Sequence, residues 1–105
     1  MLSVINTKKP TYDSGIDYNG QRLHIRPASK HLYEQITACK STMERNLKNG
    51  KALDEAYKLV GLVLNENAEG VNISAEEIDT LDIGSILELL SGYTEFLRGL
   101  KNHPN

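Results

Sequence analysis

Residues 82–100 read DIGSILELLSGYTEFLRGL, and nine of these side chains are large and apolar. Projected at roughly 100° per residue, Leu89, Phe96, Leu100, Tyr93, Ile86, Leu97, Leu90, Ile83 and Leu87 fill an arc of about 180°. A helix on the surface of a globular domain needs a stripe only a little wider than about 100°. Burial of those side chains roughly offsets the entropy lost in ordering the segment, so the helix cannot hold itself up. It must dock on its neighbours along most of the arc, which makes it the central helix of a small bundle. If the bundle closes first over the middle, around Leu90 and Leu97, one margin is left for a partner. Leu89, Tyr93, Phe96 and Leu100 are therefore the candidate partner-binding residues. The opposite face carries Gly84, Gly92 and Gly99 beside Glu88 and Glu95. Each glycine within a helix costs about 1 kcal/mol relative to alanine. Three on one face mean either a bendable helix or close approach by another chain.

Outward from this helix, the remaining elements carry their own start and stop signals. Asp82 is its N-cap, and the helix runs from about 83 to 101 before His103-Pro104. Ser74 and Glu77 form a capping box that starts a short turn of helix through Leu81. NENAEG, 65–70, is a loop. Before it, Leu53 to Asn65 is predicted as a helix with a broad apolar face of Leu53, Ala56, Tyr57, Leu59, Val60, Val63 and Leu64, which Leu62 extends. KNG at 48–50 stops or breaks the preceding helix. That helix begins after Ser29 as N-cap and shows a narrow seam of Leu32, Ile36, Cys39, Met43 and Leu47. Upstream, Asn19-Gly20 in IDYNGQRLHIR is the signal of a two-residue type I′ hairpin. This register sets Tyr18 opposite Gln21, Asp17 opposite Arg22 and Ile16 opposite Leu23. Ile16, Tyr18, Leu23 and Ile25 then share one face, and Asp17, Arg22, His24 and Arg26 the other. A lone hairpin is marginal in water, so its apolar face is expected on the helices or on another subunit. Residues 1–15 read as a mobile N-terminal arm. The expected fold is thus mainly α, three to four helices with an N-terminal β-hairpin, in a single domain spanning 1–105.

With 105 residues and 39% hydrophobic content, the chain has enough apolar material for one aliphatic core without tryptophan. Its single cysteine, Cys39, makes no internal disulfide, which favours a reducing, cytoplasmic setting. No apolar run reaches the roughly 18 residues of a membrane span, and MLSVINTKK does not read as a secretion signal. Net charge is −2 but unevenly placed. Residues 1–51 hold nine Lys/Arg against four Asp/Glu, a balance of +5, and residues 52–105 hold three against ten, a balance of −7. Such a split suits head-to-tail association into a homo-oligomer. Arg22 and Arg26 on one side and Glu76 and Glu77 on the other are the candidate self-association residues.

Chemistry is hard to find. His24, His31 and His103 fall on a strand, a helix start and a tail, and His31 with Glu34 supplies too few ligands for zinc. Cys39 occupies a seam position suited to a small buried hydrophobe. There is no phosphate loop, no GxSxG and no Walker lysine, and the carboxylates of AEEIDTLD lack the alternation of a calcium loop. No catalytic residue, metal site or cofactor is expected. A modest basic patch of Arg22, His24 and Arg26 with Lys8, Lys9 and Lys30 raises nucleic acid as a partner, and overall acidity argues against it.

The order of parts (a polar arm, a strand region ending LHIRPAS, an amphipathic middle and a final IGSILELLSGYTEFLRGL) resembles the tail assembly chaperones of long-tailed bacteriophages. The resemblance spans about residues 16–100 and carries no invariant motif. It implies a small, mostly helical, non-enzymatic protein that self-associates and coats the hydrophobic tape measure protein in the host cytoplasm while the tail assembles. The family supplies no catalytic residues. The alternative from another class is a small phage or bacterial DNA-binding regulator.

Overall fold

β1 (Tyr12–Tyr18) and β2 (Gln21–Ile25) pair antiparallel around Asn19-Gly20. Both loop residues adopt positive φ, 51° and 81°, as a type I′ turn demands. Tyr18 stands opposite Gln21 and Asp17 opposite Arg22, as the turn predicts. The simple register then fails. Asp13 pairs with His24 and Tyr12 with Ile25, so Ser14, Gly15 and Ile16 together face Leu23. Ser14 replaces the missing ladder contacts: its hydroxyl donates to the Leu23 carbonyl at 2.8 Å and accepts from the Ile16 amide at 3.0 Å. Because the excess is an even number of residues, the alternation survives, with Tyr12, Ser14, Ile16 and Tyr18 half-buried and Asp13, Gly15 and Asp17 exposed. The computed structural model describes residues 10–45 and 50–102. Tyr12–Gly15 therefore belong to a strand, which corrects the expectation of an arm over 1–15; residues 1–9 lie outside the described residues.

The free edge of β2 is covered by the NENAEG loop. The Ala68 amide donates to the His24 carbonyl at 2.7 Å, the Arg26 amide donates to the Glu66 carbonyl at 3.0 Å, and Ile25 bridges Asn67. Two asparagine side chains hold that loop in shape. Asn67, fully buried, donates to the carbonyls of Leu64 and Val71, both at 2.7 Å, and accepts from the Val71 amide at 2.8 Å. Asn65 makes the equivalent clasp on Ile73, accepting its amide at 2.8 Å and donating to its carbonyl at 3.0 Å. A loop that reads as polar and structureless is thus a third edge to the hairpin.

Four helices follow among the described residues: α1 (Lys30–Arg45), α2 (Gly50–Leu64), α3 (Ala75–Ile78) and α4 (Ile83–Asn102). The expected caps are in place. Ser29 Oγ accepts the Leu32 amide at 3.2 Å, Ser74 and Glu77 form a full capping box, and Asp82 accepts the Ser85 amide at 3.0 Å. α1 ends at Arg45 and Gly50 is the first residue of α2; Lys48 and Asn49 of the KNG signal, with Leu47, lie outside the described residues. Ile36, Cys39 and Met43 of α1, Ala56, Leu59, Val60, Val63 and Leu64 of α2, and Ile86, Leu90 and Leu97 of α4 meet Leu23 and Ile25 of the hairpin in one core. The hairpin's apolar face thus lies on the helices of its own chain.

Candidate functional site

α4 buries more of its arc than a helix in a small bundle requires. Ile86 and Tyr93 have no exposed surface, and Leu89 retains only 5%. Leu89 and Tyr93 are therefore core residues, which corrects their assignment to a partner-facing margin. The margin is occupied from within the chain, because β1 lies along it. Tyr12 packs its ring 5.7 Å from those of both Tyr93 and Phe96, which are themselves 6.1 Å apart, and Ile16 shares a cleft with Leu89. Tyr93 donates its hydroxyl to the Arg26 carbonyl at 2.6 Å, and burial pushes its phenol well above the ordinary range. Phe96 and Leu100 stay half-buried.

The same contact explains one glycine. A Cβ placed on Gly92 would collide with the Tyr12 hydroxyl, whereas one on Gly99 would meet nothing and one on Gly84 only the Asp82 carboxylate at 3.1 Å. Gly92 is the notch that lets a tyrosine of the same chain reach the backbone of α4. The close approach expected of another chain at this face comes, at Gly92, from the hairpin.

Uncovered apolar surface lies at the other end of α4. Leu62 on α2 and Ile83 at the start of α4 are 50% and 49% exposed. They border one open groove of ≈ 700 Å³ between α2, α3 and the first turn of α4. Leu53, Tyr57, Gly61, Ile73 and Ile78 form its apolar lining, and the exposed Asp54, Lys58 and Asp79 its charged edge. The walls are fixed: Tyr57 donates its hydroxyl to the Leu81 carbonyl at 2.7 Å, and Asn65 ties the end of α2 to Ile73. The sequence contained one signal for this site, the extension of the second helix's apolar face by Leu62. The placement of Ile83 beside it depends on how α4 crosses α2, which periodicity does not reveal.

The charged candidates are spread over several contacts. Arg22 sits between two carboxylates of its own hairpin, with Nε 2.6 Å from Asp17 and Nη1 3.2 Å from Asp13. Arg26 donates its side-chain Nε to the Glu66 carbonyl at 3.4 Å. Glu77 is engaged by Ser74 in the capping box and by the Tyr18 hydroxyl, whereas Glu76 is exposed on α3. His24 Nδ1 lies 2.8 Å from Glu69, whose other oxygen accepts the His24 amide at 2.8 Å. The hairpin's arginines thus bond within the hairpin or to backbone, and His24 is its link to a carboxylate of the acidic second half.

Among the described residues no group of three or more His, Cys, Asp or Glu side chains is placed to hold a metal ion. Cys39 is buried, and burial followed by the nearby Glu55 raises its thiol above the usual range, the opposite of an activated nucleophile. No helix among the described residues is long and apolar enough to cross a membrane. No family model, curated protein or solved structure matches the chain.

Proposed function

We propose that this chain is a non-enzymatic tail assembly chaperone that keeps a hydrophobic tape measure protein soluble in the host cytoplasm by covering an apolar segment of it. The observation that carries the reading is the pair Leu62 and Ile83, half-exposed on two helices over a single groove. Large apolar side chains gathered around a concavity are characteristic of surfaces that bind other proteins. The resemblance of ILELLSGYTEFL, 86–97, to the last helix of such chaperones agrees with it. That helix acts as the scaffold of the bundle, and its first residue contributes to the groove.

Self-association through the charge split has weaker support, because Arg22 and Glu77 already have partners within the chain. The nucleic-acid alternative loses ground on the same account: Arg22 and His24 both face carboxylates that repel phosphate.

The test is co-expression with a tape measure protein, whose gene is expected to lie next to that of this chain. The wild-type chain should bring the client into the soluble fraction, and the double variant Leu62→Glu with Ile83→Glu should fail to do so while remaining folded. A client that stays insoluble beside the wild-type chain overturns the reading.

A further inference from the structure

We infer that the groove along α2 accepts an amphipathic helix whose polar flank is basic; the chaperone reading supplies the origin of that helix, while the groove's own chemistry supplies its character. Leu53, Tyr57 and Gly61 recur at four-residue steps on α2 and Asn65 continues the spacing just past its end, so a single row forms a wall about 18 Å long. About three turns of a partner helix match that length, with apolar anchors at i, i+3 or i+4, and i+7. Gly61 sets the depth. It presents no side chain, and a Cβ there would meet only Ile78 Cγ1 at 3.7 Å, so a partner backbone can come close.

Charge selects the sign of the occupant. Asp54 on α2 and Asp79 at the end of α3 are exposed at the groove, and the exposed Glu76 and Asp82 flank Asp79 in sequence. Among the described residues that line the groove, Lys58 is the one cation. A lysine- or arginine-bearing helix would meet complementary potential, and an acidic one would be repelled. A second copy of this chain fits less well. Its α1 exposes Lys30 and Arg45 but no large apolar side chain on the same face.

The experiment uses the full chain and two labelled synthetic helices with the same leucine stripe, one flanked by lysine and one by glutamate, read by fluorescence anisotropy. The lysine helix should bind at least about tenfold more tightly than the glutamate helix. Leu62→Glu with Ile83→Glu should weaken the lysine helix by about tenfold or more, and Asp54→Lys with Asp79→Lys should erase or reverse the preference. Circular dichroism checks the fold, and Leu62→Gln with Ile83→Gln replaces the glutamate pair if that pair unfolds. Equal binding of the two helices, binding of neither, or binding indifferent to all groove variants overturns the inference. So does a groove-dependent dimer in light scattering, which would make the occupant a second copy. Soluble tape measure protein beside a chain that binds neither helix leaves the chaperone reading standing and removes only the groove. Helix binding beside an insoluble client does the reverse.

Discussion

Gly92 and Tyr12 form the contact by which the hairpin is seated on α4, and the pair makes a prediction whose sign depends on the partner. Alanine normally stabilises a helix interior over glycine by about 1 kcal/mol. At Gly92 the new methyl group would occupy the position of the Tyr12 hydroxyl, and the ring would have to leave its contacts with Tyr93 and Phe96. Overpacking of that kind costs about 1–3 kcal/mol. Gly92→Ala should therefore lower stability in the wild type and raise it in a Tyr12→Ala background, measured by urea unfolding as a double-mutant cycle. The same small effect in both backgrounds would mean that Tyr12 does not hold the site. The sequence shows three glycines on one helix face, but it cannot show which of them is approached. The tyrosine comes from the opposite end of the chain, and nothing local links the two.

Elements whose signals are local were legible, and elements built from distant contacts were not. Asn19-Gly20, Ser29, the Ser74/Glu77 box and Asp82 each act within four residues, and each is found where the sequence puts it. Replacing Gly20 by alanine places a Cβ in the left-handed region at roughly 1–2 kcal/mol, and Asn19→Ala removes the short polar side chain that tolerates the same region. Amide exchange over Tyr18–Leu23 should accelerate accordingly, and unchanged protection would refute the turn. The bulge at Ser14–Ile16 was hidden because it needs Tyr12 to reach α4, a demand no hairpin rule contains. The loop on the edge of β2 was hidden because Asn65 and Asn67 read as ordinary loop residues until their side chains are seen replacing backbone pairing. Asn67→Ala removes three hydrogen bonds of a buried side chain, one fully buried and two part-buried, and leaves their backbone partners without them. A loss on the order of 3 kcal/mol follows, measured by chemical denaturation, whereas Asn72→Ala, an exposed neighbour, should change little.

Across the whole molecule, charge and apolar surface are disposed differently from the way the sequence alone suggests. Arg22 pairs with Asp13 and Asp17 of its own half of the sequence and Arg98 with Glu95 of its own, while His24 reaches across to Glu69, and hydrogen bonds to carboxylates set the response to acid. The His24 amide and then its side chain hold the Glu69 carboxyl below the usual range, Ser85 does so for Asp82, and the Ser74 amide and then the Tyr18 hydroxyl for Glu77. Groups lowered on folding contribute stability that is complete above their unfolded values near pH 4 and is lost as pH falls through the lower folded ones. Melting temperature should therefore drop below about pH 4, and Glu69→Gln should flatten that drop; a drop of unchanged steepness would remove Glu69 as a cause. Apolar surface follows a similar logic. Helical projection gave Leu89 and Leu90 different roles, margin and centre, but β1 covers the margin and the two are now equivalent. Leu89→Ala and Leu90→Ala should each cost about 2–5 kcal/mol, as truncated core leucines do. Leu62→Ala and Ile83→Ala, each about half-exposed, should stay near 0.5 kcal/mol and act instead on client solubility. Chemical denaturation and co-expression on these four variants separate the two classes. If Leu89→Ala spares stability and abolishes client binding, β1 lifts away to expose α4, and the binding surface lies under the hairpin rather than in the groove.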